Sequence, residues 1–306
     1  MKGKGKGYIA LGITSIVWGT TWVASKIAVT KLPALQIAST RQFIGGSLFV
    51  LFFIFYKKYS FPSARQFRWL VVMAFLMFVF ANGFSIWGIQ YIPAGLGALI
   101  GALYPLCVVI IEAVFFNKKN MTPVTFAGLF LGIAGIGVVF HEHSFTRTNP
   151  HFILGVCLSF IAMLAWSLGT VFLSRNKVNI NPYYGTGWQM LISSVVLFIM
   201  AQTTQKTIPL KEVALESWGI IAYLVIFGSI GAFIAFIYSM KTLPPAIASL
   251  YAYINPLVAM VAAAVLLGEK LTMNILWGAL ITLIGVFLVN YSIKRMNEKI
   301  ILEAEL

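Results

Sequence analysis

Lys26 and Arg41 stand inside long apolar runs, with no acidic residue near either along the chain. A cation placed among lipid tails costs about 3 kcal/mol or more unless it is paired or wet. Arg41 lies seven residues past Ala34, about 10 Å along a helix rising about 1.5 Å per residue. Lys26 lies about one turn from the end of its own run. The chemistry open to such a pair is to hold the carboxylate or phosphate of a small molecule. The alternatives are snorkelling to the surface and pairing with Glu142 or Glu269.

Ser15, Trp18, Trp22 and Lys26 follow i, i+3, i+7, i+11 spacing and share one broad helix face. A polar and aromatic face in a bilayer points inward, where indole rings suit stacking on an aromatic or cationic group. Asn82, mid-run, reads either as interhelical glue or as a ligand. Glu112 is the one acid inside a run; proton relay and a local ion pair are its two readings. His141, Glu142 and His143 lack HExxH spacing, and Cys107 and Cys157 sit in apolar segments, so neither set predicts a metal site. Nucleophiles, carboxylates and metal ligands do not gather at one depth, which argues against an enzyme.

What positions these residues follows from composition. Of 306 residues, 60% are hydrophobic and 10% charged, with a mean hydropathy of +0.91. These values describe an all-α, multi-pass membrane protein. No cleavage pattern follows the first apolar run, so it is expected to stay as a helix. Ten spans are predicted: 8–29, 34–56, 68–88, 93–116, 122–140, 152–173, 183–202, 218–240, 244–267 and 272–293. The net charge of +14 does not predict nucleic-acid binding, because no soluble module remains to carry it. With the N-terminus cytoplasmic, fifteen of the 22 basic residues fall in inner segments, among them Lys57, Lys58, Arg65, Arg68 and Lys241. Five fall outside: Lys31, Arg147, Lys206, Lys211 and Lys270. This asymmetry predicts both termini on the cytoplasmic side.

The chain also repeats itself. IPAGLGALIGALYPLCVVIIEAVFFNKK from Ile92 is echoed by LPPAIASLYAYINPLVAMVAAAVLLGEK from Leu243, with Pro93 and Pro105 spaced as Pro244 and Pro256 are. The predicted repeats are 8–140 and 152–293, followed by a cytoplasmic tail, 294–306. Five helices per repeat make the second copy enter the membrane from the opposite side, giving an inverted repeat with a site near the midplane. Pro105 and Pro256 each remove a backbone donor at mid-span, predicting hinges beside a small cavity. Beside them, Tyr104, Tyr251 and Asn255 are placed to read a polar substrate or to satisfy the freed carbonyls. The repeat further sets Trp166 at the place of Trp18, Trp87 opposite Tyr238, and Asn82 opposite Phe233.

SIVWGTTWVASKIAV from Ser15, Arg41 early in the second helix, the proline-bearing fourth and ninth helices, and Gly268-Glu269-Lys270 before a Gly-rich tenth helix resemble the drug/metabolite transporter superfamily, specifically its ten-helix EamA-like members. The resemblance covers almost the whole chain. It implies a carrier in the plasma (inner) membrane, commonly an exporter of amino acids or related metabolites, without bound cofactor. One departure is Asn117-Lys118-Lys119, which stands where the second repeat has Gly268-Glu269-Lys270. The expected substrate-binding set is Trp18, Trp22, Lys26, Arg41, Asn82, Trp87, Tyr104, Trp166, Tyr238, Tyr251 and Asn255. The expected partners are a small-molecule substrate, the lipid bilayer and a proton or other coupling ion, with the chain a monomer or weak homodimer. Exchange of phosphorylated or nucleotide-linked metabolites is the second reading.

Overall fold

Apolar helices account for most of the chain in a computed structural model that describes residues 2–116, 121–145, 150–175, 178–243, 245–248 and 250–304. We number them α1 (Lys2–Ala28), α2 (Ala34–Tyr56), α3 (Ala64–Ile89), α4 (Ala94–Phe116), α5 (Pro123–Phe145), α6 (Phe152–Arg175), α7 (Pro182–Thr204), α8 (Leu215–Thr242), α9 (Tyr251–Leu267) and α10 (Met273–Ala304). No strand occurs among the described residues. The turn Asn117-Lys118-Lys119, Arg147, Pro244 and the side chains of Glu142 and His143 lie outside what is described.

Among the described residues nine helices are long and apolar enough to span a bilayer, and α9, with 17 residues, is shorter. The sequence predicts a tenth full span over 244–267. The observed chain instead makes a single turn, Pro245–Ala248, and restarts at Tyr251. That interruption precedes Pro256, which lies inside the uninterrupted α9. In α4, by contrast, the helix breaks at Leu103, two residues before Pro105. A proline lacks the N–H of its own turn and crowds the carbonyl four residues back, which accounts for a break at this place. The two prolines expected to be equivalent hinges are therefore not equivalent in the backbone.

Local signals set the helix ends. Ser63 and Gln66 form a reciprocal capping box at the start of α3. The Asn181 side chain accepts from the Tyr183 and Tyr184 amides, and Pro182 supplies the first residue of α7. Gly268, at φ +67°, ends α9 in the left-handed region that glycine enters without strain.

The two repeats pack in a matched pattern. α2 lies along α7 and α5 along α10; α1 packs on α8 and α9 just as α6 packs on α3 and α4. The α5–α10 contact is a close one: a Cβ on Gly285 would stand 2.6 Å from the Gly128 carbonyl oxygen. Small residues that let backbones meet are the usual means of helix association where no hydrophobic drive acts between helices. Large apolar side chains such as Phe55, Phe130 and Val265 face outward, as a surface solvated by lipid requires.

The third helix of each repeat contains a π-helical stretch, Phe75–Gly83 in α3 and Leu224–Gly231 in α8. Such stretches loosen the backbone ladder and release groups for other partners. Both stretches lend a carbonyl to a neighbouring helix, as described next.

Candidate functional site

Between the two repeats lies a cavity with about 190 Å³ open to the centre of a water molecule. Seven helices line it: α1, α2, α3, α4, α6, α8 and α9. Trp18 forms its aromatic corner. The indole meets Trp166 edge-on at 6.3 Å between ring centroids, Phe233 at 5.3 Å and Tyr251 at 5.5 Å. Its Nε1 donates to the Gly228 carbonyl in the α8 π stretch at 3.2 Å. Tyr251 in turn stacks on Tyr104 at 6.1 Å. Rings fixed on three sides, with indole N–H groups already bonded, make a preformed wall for an apolar body.

Trp22 stands farther along the same face of α1 and donates to Asn255 Oδ1 at 3.1 Å. Gly101 makes room for its ring: a Cβ there would lie 3.2 Å from the indole. Asn255 and Pro256 both reach the cavity, whereas Pro105 is buried away from it. Asn82 lines the cavity while its Oδ1 accepts from Gln42 Nε2 at 3.0 Å. Gln42 also donates to the Phe78 carbonyl in the α3 π stretch and accepts from the Ser193 hydroxyl. Asn82 thus ties helices together and presents a face to the cavity.

Arg41 and Gln42, neighbours on α2, go to opposite π stretches. Arg41 is 6% exposed and lines the cavity. Its Nε donates to Ser229 Oγ at 2.7 Å. Among the described residues no carboxylate approaches it within ion-pair distance.

Lys26 has a different fate. Its Nζ donates to the carbonyls of Ile89 (2.8 Å), Gln90 (3.3 Å) and Ile92 (2.8 Å). All three ammonium donors can be occupied at the end of α3, where the helix dipole favours a cation. Glu269, placed by the Gly268 turn, accepts from the Ala94 and Gly95 amides at 2.7 and 3.2 Å and so caps α4. It is near enough to act electrostatically on Lys26. Lys26 and Glu269 therefore bracket the α3–α4 turn from either side, and Lys26 is not among the cavity-lining residues.

Trp87 and Tyr238 are not among them either. Trp87 packs beside Phe84 at 6.0 Å between centroids and against the Leu35 and Leu197 cluster. The Tyr238 carbonyl accepts from Thr242 within its own helix. The other aligned pair, Asn82 and Phe233, does meet the cavity from both repeats. Glu112 pairs with Arg175 at 3.4 Å near the surface, and no three metal-ligating side chains converge among the described residues.

Sequence reasoning missed Ser229, Gly228, Ser159 and Ser193, which position or line the site. A serine in an apolar run carries little signal, because its hydroxyl can bond back to its own helix. The Arg41-Gln42 dipeptide was the available clue, since two polar residues in succession on one span must face two different partners.

The chain resembles known proteins over nearly its whole length. The uncharacterized inner membrane transporter YedA of Escherichia coli strain K12 is 29% identical over 272 residues, covering 89% of this chain and 86% of YedA. The uncharacterized transporter YoaV of Bacillus subtilis strain 168 is 24% identical over 290 residues, covering 94% and 98%. A crystal structure of a protein of the same fold superposes with a TM-score of 0.63 at 16% identity, covering 95% of this chain and 99% of that one. Residues 5–141 and 153–291 each match the EamA-like transporter family, and a central cavity between two such repeats is what this chain builds. The chain belongs to the EamA-like transporter family.

Proposed function

We propose that the protein is a secondary carrier of small amphipathic metabolites that works by alternating access. Two inverted five-helix repeats, 8–140 and 152–293, would rock about the central cavity, with both termini and the 294–306 tail cytoplasmic. The observation that carries this reading is one cavity lined from both repeats by aromatic, apolar and polar side chains together. Of the residues lining it, Trp18, Trp22, Arg41, Asn82, Tyr104, Trp166, Tyr251 and Asn255 are the proposed substrate-binding set. The relative YedA is named an inner membrane transporter, and the same membrane is proposed here. The resemblance favours export of amino acids or related compounds, with a proton or another ion as coupling partner. No enzymatic activity is proposed.

Rocking requires the α3–α4 turn to part from α1 and from the α9–α10 turn, so Lys26 and Glu269 are proposed as contacts of one closed end. The interruptions at Leu103 in α4 and ahead of Tyr251 in α9 are the proposed bending points. Exchange of phosphorylated metabolites is weaker as a reading, because it wants two cations at the cavity and Lys26 is bonded elsewhere.

Counterflow in proteoliposomes tests the carrier reading. Vesicles loaded with unlabelled compound should accumulate the labelled one transiently, faster than protein-free vesicles do. Counterflow no faster than in protein-free vesicles, over amino acids, organic acids, organic cations and phosphate esters, contradicts it.

A further inference from the structure

Among the described residues, Arg41 is the only charged side chain that lines the cavity. A guanidinium has five N–H donors, and the one bond it makes, to Ser229 Oγ, uses Nε alone. Both terminal nitrogens, with their four donors, have no acceptor among the described residues. Trp18, Trp22, Trp166, Tyr104, Tyr251 and Phe233 contribute aromatic rings to the cavity wall, and small, aliphatic, hydroxyl and amide side chains make up the rest. A buried cation in such a place is stabilised by water or by an anion, and the planar fork of its terminal nitrogens matches a carboxylate.

The other groups narrow the anion further. A phosphate monoester carries up to two charges, and the second cation that would balance it, Lys26, is held by the carbonyls of Ile89, Gln90 and Ile92. Among the described residues no Asp or Glu lines the cavity. The ammonium of an amino acid would therefore find no counter-charge there. Neutral oxygens alone would meet it, and the amide oxygens of Asn82 and Asn255 each already accept one bond, from Gln42 and Trp22.

We infer that the substrate is an organic monocarboxylate with an apolar or aromatic body, its carboxylate held by the terminal nitrogens of Arg41, and that an α-amino group is not required. This rests on the carrier reading above, which leaves the charge of the substrate open.

The test uses the full chain in lipid nanodiscs, titrated calorimetrically against empty nanodiscs with 3-phenylpropionate, phenylalanine, 3-phenylpropionamide, phenethylamine and phenyl phosphate. The expected result is that 3-phenylpropionate binds at least as tightly as phenylalanine, and about ten-fold or more tightly than the amide, the amine and the phosphate. Arg41→Gln should erase the preference for acid over amide, and Arg41→Lys should restore part of it. Should Arg41→Gln not fold, the wild-type ratio of acid to amide decides alone. Amide, amine or phosphate binding as tightly as the acid overturns the inference. So does phenylalanine binding without 3-phenylpropionate, or none of the five binding. Counterflow of the acid separates the two claims. Binding without counterflow above protein-free vesicles leaves the anion site standing and removes the carrier reading, whereas counterflow of the amine without acid binding does the reverse.

Discussion

Lys26 and Arg41 carry the same charge in apolar helices of the same repeat, yet their surroundings differ completely. Lys26 reaches the α3–α4 turn, where the carbonyls of Ile89, Gln90 and Ile92 satisfy it. Arg41 reaches the middle of the bundle and meets one hydroxyl. A compact ammonium suits a helix end, because its three donors converge on neighbouring carbonyls. A guanidinium at a cavity wall keeps a planar fork free after its Nε is anchored. The difference teaches that an intramembrane cation is a ligand site only where the backbone leaves it without acceptors.

The comparison is broken most readily at Arg41. Arg41→Gln removes a charge-assisted contact of about 1.5 to 3 kcal/mol and should weaken carboxylate binding about 10- to 100-fold. Calorimetry in nanodiscs measures this, and an unchanged affinity would remove Arg41 from the site. Lys26→Gln should act on stability instead. Carbonyls left without their donor cost about 1 to 3 kcal/mol, a fall of about 5 °C in melting temperature, with ligand affinity within about three-fold. Thermal unfolding and calorimetry on the same sample separate the two effects.

Glu269→Gln should have a smaller effect, because an amide oxygen still accepts from Ala94 and Gly95 while the favourable charge at the α4 N-terminus is lost. About 1 kcal/mol of stability is expected to go, and the α3–α4 turn should exchange amide hydrogens faster. Unaltered exchange at Ala94 and Gly95 would argue that Glu269 does not hold the turn. Ser229→Ala, the mildest change, frees the Arg41 Nε without removing the charge. It should shift carboxylate affinity by about three-fold through a less well-fixed guanidinium, and an effect as large as that of Arg41→Gln would mean that Ser229 itself binds the ligand.

Much of the architecture could be read from residues. Apolar runs of about 20 residues and the matched proline spacing lead to the helices and to the duplication, because both depend on composition along the chain. The aromatic face of α1 was legible for the same reason: Trp18 and Trp22 share a helical period. The interior of the helices was not. Nothing in Phe75–Gly83 or Leu224–Gly231 announces a π-helical stretch, since that choice depends on side chains arriving from α1 and α2. The unequal breaks in α4 and α9 were hidden likewise. Proline marks a position where the ladder is weak, but tertiary packing decides whether the helix bends there or six residues earlier, as at Leu250.

Trp87 and Tyr238 show the limit of reasoning by repeat. Aligning the third and eighth helices matches positions along the axis, but a π stretch adds residues per turn and rotates whatever follows it. Asn82 and Phe233 stay at the cavity, while Trp87 and Tyr238, about one to two turns on, do not line it. The Gly268-Glu269-Lys270 turn is the converse case. Its role could not be read from its own helix, because Glu269 works on α4, across the sequence repeat.

The dissociation constant of 3-phenylpropionate, measured side by side for wild type, Arg41→Gln and Lys26→Gln in the same nanodiscs, tests the distinction between the two cations most directly. The constant should rise about ten-fold or more for Arg41→Gln and stay within about three-fold of wild type for Lys26→Gln. Equal losses for the two variants, or a larger loss for Lys26→Gln, would contradict it.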